Sequence, residues 1–242
     1  MSARVEVLGS ASELASRVAA EIVAKLVAVQ ADGRVPSIAL TGGTIADAIY
    51  QQIASMERDE PAVDWMRVDF WWGDERYVPA DSSDRNDRSA GLDLLDVVLV
   101  DPARVHAMPA ADEAHPDLEA AAVEYDHLVR TREPGDFDLV LLGVGPDGHV
   151  ASLFPGFAQL DVDDRIAVAV TDSPKPPPDR ISMTFTALNQ AGEVWFLVSG
   201  EGKADAVARA LAPEGSVHET PARGITAPNR TWWLDQAAAG SL

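Results

Sequence analysis

No cysteine occurs among the 242 residues. Its absence excludes a disulfide-stapled scaffold, thiolate metal sites and a cysteine nucleophile. Basic residues are scarce: 19 Lys and Arg stand against 39 Asp and Glu, a formal net charge of −20. Wrapping nucleic acid or lying on an anionic membrane needs a basic footprint, so neither is expected. No run approaches the ~20 apolar residues of a membrane span. The opening stretch MSARVEVLGSASELASRV has no signal-peptide apolar run or small-residue cleavage pattern. The expectation is a soluble, cytoplasmic chain. If its partner is an anion, the few cations must be concentrated locally.

What is present is a globular composition, 47% hydrophobic and 24% charged, which excludes wholesale disorder. Short apolar runs alternate with helical patterns from end to end. Strands are expected at Val5–Leu8, Ser37–Leu40, Val68–Trp72, Asp138–Leu142, Ile166–Val170, Val194–Val198 and Thr231–Leu234. Ser10 with Glu13 forms a capping box. It opens a helix with an apolar stripe at Leu14, Val18, Ile22 and Leu26, stopped near Gly33. Further helices are expected from Thr44, around Leu92 to Leu99, over Glu119–Arg130 and over Lys203–Leu211. The near-continuous apolar run at Asp138–Leu142 is typical of a strand buried on both faces of a parallel sheet. The whole implies one α/β domain over residues 1–242, with a mainly parallel twisted sheet and helices on both faces. The aromatic pairs Trp71-Trp72 and Trp232-Trp233 read as core. The proline-rich stretch 173–178 reads as a stiff loop within that domain.

Ligands of open α/β sheets bind outside the carboxyl ends of the strands, and several polar motifs sit there. Thr41-Gly42-Gly43-Thr44 lies between a strand and a helix. It reads either as a tight βα turn or as a loop whose N–H groups suit a phosphate. Leu141 to His149 contains a formal G-x-G-x-x-G. A dinucleotide fold is rejected, because Pro155-Gly156 interrupts any long helix and the motif lies past mid-chain. What remains is a glycine-rich loop presenting Asp147, Gly148 and His149. His106, His115, His127 and His218 have no such framing and read as surface or packing residues.

Gly73-Asp74-Glu75-Arg76 ends another apolar strand, with Arg85 and Asn86 close in sequence. An aspartate there can orient a histidine or move a proton, and an arginine can fork onto a phosphate. The bland alternative is a surface salt-bridge cluster. Lys175, Arg180 and Lys203 are further cations, one next to the stiff loop, one opening a strand and one at a helix start. No H-x-x-x-H or clustered His and carboxylate spacing marks a metal site. No G-x-S-x-G marks a serine nucleophile.

The stretches TGGT (41–44), FWWGDERYVP (70–79), SSDRN (82–86), LLGVGPDGHVASLFPG (141–156), SPKPPPDRISMT (173–184) and VSGEGKADAV (198–207) together resemble the 6-phosphogluconolactonases. These belong to the wider glucosamine-6-phosphate isomerase/6-phosphogluconolactonase superfamily, whose fold is Rossmann-like and of the sugar-phosphate isomerase type. The resemblance implies hydrolysis of 6-phosphoglucono-δ-lactone to 6-phosphogluconate, the second step of the oxidative pentose phosphate pathway. It implies no cofactor and no metal; the partner is a small phosphosugar lactone, and a monomer is favoured.

On this likeness His149 and Asp74 are the catalytic residues, with His149 activating water. Gly42, Gly43, Thr44, Arg76, Asp147, Gly148, Arg180 and Lys203 are expected on the substrate and phosphate side. Backbone N–H groups of the 143–149 loop or Arg76 are the oxyanion candidates. The first loop departs from the usual S-G-G-S-T-P, since Ile45 and Ala46 stand where Thr and Pro are common. A deaminating isomerase of glucosamine 6-phosphate is the sibling alternative; it carries a glutamate where this chain has Phe154. A non-catalytic phosphosugar-binding protein is the third reading.

Overall fold

The fold is described from a computed structural model covering residues 3–131 and 137–242. Six parallel strands form the central sheet: β1 (Arg4–Leu8), β2 (Ser37–Leu40), β3 (Asp69–Trp72), β5 (Leu139–Gly143), β8 (Val194–Val198) and β9 (Arg230–Asp235), in the order β1-β9-β8-β5-β2-β3. β5 is buried from Leu139 to Leu142, as its unbroken apolar run requires. Each fully buried Leu or Val of this kind contributes roughly 1.5–3 kcal/mol. The four tryptophans of β3 and β9 are core residues, with Phe196 stacked on Trp232 at 3.9 Å.

The first helix, α1 (Ala11–Ala31), begins as its sequence dictates. Ser10 Oγ accepts from Glu13 N at 3.2 Å, and Glu13 Oε2 accepts from Gly9 N at 2.9 Å. Its stripe Leu14, Val18, Ile22 and Leu26 is buried. α2 (Thr44–Asp59) packs on α1. α1 also reaches β9 and α2 reaches β8.

The sheet is not the whole β structure. A second, antiparallel sheet joins β4 (Asp74–Arg76), β7 (Arg180–Met183) and β6 (Ala167–Val170) in the order β4-β7-β6. α4 (Leu118–Thr131) packs on β6 and β7. Only part of the expected helix at Leu92–Leu99 forms. A short α3 (Asn86–Ala90) runs into one wider turn over Gly91–Leu95, and the chain then leaves the helix. The stripe fails because Leu92 and Leu99 point to solvent, Leu99 at 78% exposure. Two short helices follow later, α5 (Phe185–Leu188) and α6 (Ala204–Leu211).

β2 lies between β3 and β5 in the sheet. The chain leaves β2 toward β3 and leaves β5 toward β8, so the two departures diverge. A crevice opens at such a switch point, outside the carboxyl ends of the strands.

Candidate active site

A cleft of 760 Å³ occupies that crevice. The segments following β2, β3, β5 and β8 line it, together with the 175–180 loop. The segment after β2 is the glycine loop. Gly43 has φ +110°, which an L side chain rarely adopts, and stands at the N-cap of α2 with no side-chain cap. The first N–H groups of α2 therefore remain open at a point where the helix dipole favours an anion. Gly42 is pressed against Asn86, whose Nδ2 donates to Asp74 O at 2.9 Å.

The segment after β5 carries the histidine. His149 Nδ1 lies 2.5 Å from Asp147 Oδ1, and His149 N donates to the same oxygen at 3.3 Å. Burial alone raises the Asp147 carboxyl. The hydrogen bond and charge of His149, with Lys175 further off, outweigh it and bring the pKa to about 2. An ionised carboxylate only accepts, so Nδ1 carries a proton, and in the neutral ring Nε2 is the nitrogen with the lone pair. Gly145 makes this packing possible, because a Cβ there would sit 2.0 Å from His149 Nδ1. Phe154 is fully buried beside the imidazole, with ring centroids 4.6 Å apart.

The segment after β3 supplies Asp74 and Arg76. Asp74 Oδ2 accepts from Ser152 Oγ at 2.6 Å and lies 4.0 Å from Arg180 Nη1. Arg76 Nη1 donates to Asp84 O at 2.5 Å, while its buried Nε has no partner among the described residues. Arg180 is itself restrained: Nε donates to Pro177 O, and Nη2 to Lys175 O and Pro176 O. Lys203, in the turn before α6, donates from Nζ to Val144 O at 2.7 Å. Burial pushes the ammonium groups of Lys175 and Lys203 down from their ordinary values; the charges of Arg180 and Arg76 add to it at Lys175, that of Lys175 adds to it at Lys203, and Asp147 opposes it at both.

His149, Asp74, Gly42, Gly43, Thr44, Arg76, Arg180 and Lys203 all line the cleft. Asp147 and Gly148, expected on the substrate side, are not among its lining residues. The turn places Asp147 on His149 Nδ1, and Gly148 backs onto Thr220. Asp74 also differs from expectation as a histidine partner: among the described residues no hydrogen bond joins it to His149, whose Nδ1 is taken by Asp147, and Asp74 Oδ2 accepts from Ser152 instead. The loop amides are largely committed. Gly145 N donates to His149 O, and Gly148 N to Gly145 O. Of the oxyanion candidates, Arg76 keeps a free donor.

Arg85, close in sequence, does not line the cleft. It is buried, forks onto Asp87 at 2.9 and 2.7 Å and stands 3.9 Å from the buried Glu75. Burial raises the Glu75 carboxyl well above its ordinary range despite the Arg85 charge. Lys175, singled out in sequence only as a stray cation, lines the cleft too. Four cations and one carboxylate thus line a single cleft of a chain with net charge −20.

A family model described as glucosamine-6-phosphate isomerases/6-phosphogluconolactonase matches residues 9–233. A 6-phosphogluconolactonase of Streptomyces coelicolor is 45% identical over 239 residues, covering 95% of this chain and 90% of that protein. The solved 6-phosphogluconolactonase of Trypanosoma brucei superimposes with a TM-score of 0.84 at 27% identity, covering 99% of this chain and 98% of that one. A solved monomeric glucosamine-6-phosphate deaminase superimposes equally, with a TM-score of 0.84, 21% identity and coverage of 99% and 100%. At that identity the second likeness shows the fold alone.

Proposed function

The chain belongs to the glucosamine-6-phosphate isomerase/6-phosphogluconolactonase family, and on that premise we propose that it hydrolyses 6-phospho-D-glucono-1,5-lactone to 6-phosphogluconate, the second step of the oxidative pentose phosphate pathway. The observation that carries the choice within the family is the surroundings of His149. Its Nδ1 is tied to an ionised Asp147, and its other neighbour is the apolar Phe154. A phenyl ring transfers no proton, so an amino-sugar isomerisation would lack one member of its relay.

A δ-lactone is an activated ester, and water suffices as nucleophile. Nε2 of His149 takes a proton from the water as its oxygen adds to C1. Asp147 fixes the ring and stabilises the imidazolium that forms, the same division of labour as in other carboxylate–histidine pairs. The tetrahedral intermediate carries its charge on the former carbonyl oxygen, and Arg76 is the donor assigned to it. Collapse breaks the bond from C1 to the ring oxygen, which receives the proton from the imidazolium. The 6-phosphate is assigned to Arg180 and Lys203, with the open N–H groups at the start of α2 as further donors. Holding the far end of the substrate fixes C1 at the imidazole. Asp74 is assigned to the sugar hydroxyls.

The test is loss of the lactone, followed spectroscopically with and without the protein. Catalysis above the spontaneous rate is expected, with no ammonia from glucosamine 6-phosphate. Ammonia release would select the deaminase instead. Binding of 6-phosphogluconate without turnover would select a phosphosugar-binding protein.

A further inference from the structure

Ser152 is fully buried and lies three residues beyond His149. Its two polar groups point to two different strands of the small sheet. Oγ donates to Asp74 Oδ2 at 2.6 Å, and N donates to Ser182 Oγ at 3.1 Å. Ser182 Oγ has one proton and gives it to Met183 O at 3.0 Å. That fixes the direction of every bond in the chain, and Ser152 Oγ has only Asp74 as its target. Ser182 and Asp74 are themselves opposite each other in the β4–β7 register. Three segments therefore close a ring: the strand bearing Asp74, its partner strand, and the turn bearing His149.

The turn itself needs this restraint. Ala151, between His149 and Ser152, has φ +49°. A non-glycine residue there persists only where its surroundings over-determine it. The two bonds of Ser152, with Leu153 N donating to Val150 O at 2.9 Å, supply that. Among the described residues Asp74 Oδ1 has no donor, while Oδ2 is occupied by Ser152.

We propose that Ser152 is a positioning residue for the hydrolysis: it acts through Asp74, locking the one carboxylate that lines the cleft in a single orientation relative to His149. Oδ1 is thereby kept free to accept a hydroxyl of a polyol substrate. The idea rests on the hydrolytic reading above and assigns a role outside the imidazole and its partner.

A double-mutant cycle on lactone hydrolysis tests it, with Ser152→Ala, Asp74→Asn and their combination, each checked for folding by thermal melting. For Ser152→Ala, kcat/KM falls roughly tenfold, the scale of one hydrogen bond to a charged group. The decisive expectation is non-additivity: the combined variant is no slower than Asp74→Asn alone, since Ser152 has nothing left to position. A serine that only supports the fold would multiply the two losses. Multiplied losses, an unaltered Ser152→Ala or a fully active Asp74→Asn each overturn the proposal. If Ser152→Ala does not fold, Ser152→Cys goes through the same cycle, because its thiol fills the site but donates weakly. An unaltered chain without lactonase activity overturns the hydrolytic reading, and this inference with it; an active chain with multiplied losses overturns this inference alone.

Discussion

Asp147–His149 and Glu75–Arg85 are both acid–base pairs next to the cleft, and they are built differently. In the first, histidine lines the cavity, the carboxylate stands behind it, and the separation is 2.5 Å. In the second, both side chains are buried, 3.9 Å apart, and neither lines the cavity. Glu75 accepts from Arg76 N, Asn86 N and Asp87 N, and Arg85 donates to Met108 O. The first pair places its imidazole at the cleft for chemistry; the second turns inward, onto backbone groups and the Asp87 carboxylate, and presents nothing to the cleft. Charge beside a cleft is therefore no guide to function until it is known which of its side chains line the cavity.

Substitutions separate the two. His149→Ala is expected to lower turnover by roughly 10²–10⁴-fold, the range of a lost general base, with little change in melting temperature. Near-normal rates above the lactone's spontaneous hydrolysis would collapse the distinction. Arg85→Ala has the opposite signature. It strands the buried Glu75, and a loss of roughly 3–5 kcal/mol of stability is expected. Urea denaturation measures it, and an unchanged midpoint would make the second pair as dispensable to the fold as the first.

Gly145→Ala tests the first pair without touching either member. Its Cβ must displace the ring or the carboxylate, and a ~1 Å misplacement costs about 10²-fold in rate. KM should move far less than kcat; equal changes in both would show that the glycine serves binding rather than the imidazole.

Acidity gives the smallest effect, with opposite signs for the two pairs. The Asp147 pKa is brought below its ordinary 3.8, so its contribution to stability is full above that value and is lost as pH falls toward 2. The Glu75 pKa is raised by burial, so its contribution is full at acid pH and is lost as pH rises from 4.5 toward neutrality. Denaturation across that window should therefore favour Glu75→Gln over the unaltered chain progressively as pH rises. A constant gap would mean that Glu75 is ionised throughout.

Much of the architecture is legible because each parallel strand is an apolar run between breakers. Ser37–Leu40 and Val194–Val198 match the observed bounds, and the capping box at Ser10 places the start of α1. Of the antiparallel sheet only β6 is legible as an apolar run, Ile166–Val170; β4 and β7 are hidden as a pair because each is short, carries charge and has a remote partner. Asp74–Arg76 reads as the polar end of the preceding strand until Arg180–Met183, about a hundred positions away, pairs with it. At the site, glycine framing singles out His149 among five histidines. The spacing cannot reveal that Asp147 turns back onto the ring, since that depends on the conformation of Pro146-Asp147-Gly148. Composition and spacing alone do not separate Arg85 from Arg76; the family likeness picks out Arg76, and burial then sets Arg85 to a different task. Ser152 gives no signal of its own; only its closeness to Asp74 does.

The strand order has a consequence for biosynthesis. β9, the last strand to leave the ribosome, inserts between β1 and β8, and β1 is the first to be made. Until residue 230 emerges, two long edges stay unpaired, one of them the apolar Val194–Val198. Such edges are templates for association with other chains. A nascent or truncated chain ending before β9 thus carries an aggregation hazard that the finished protein does not, and stop codons late in the reading frame should yield insoluble product rather than a slightly weaker enzyme.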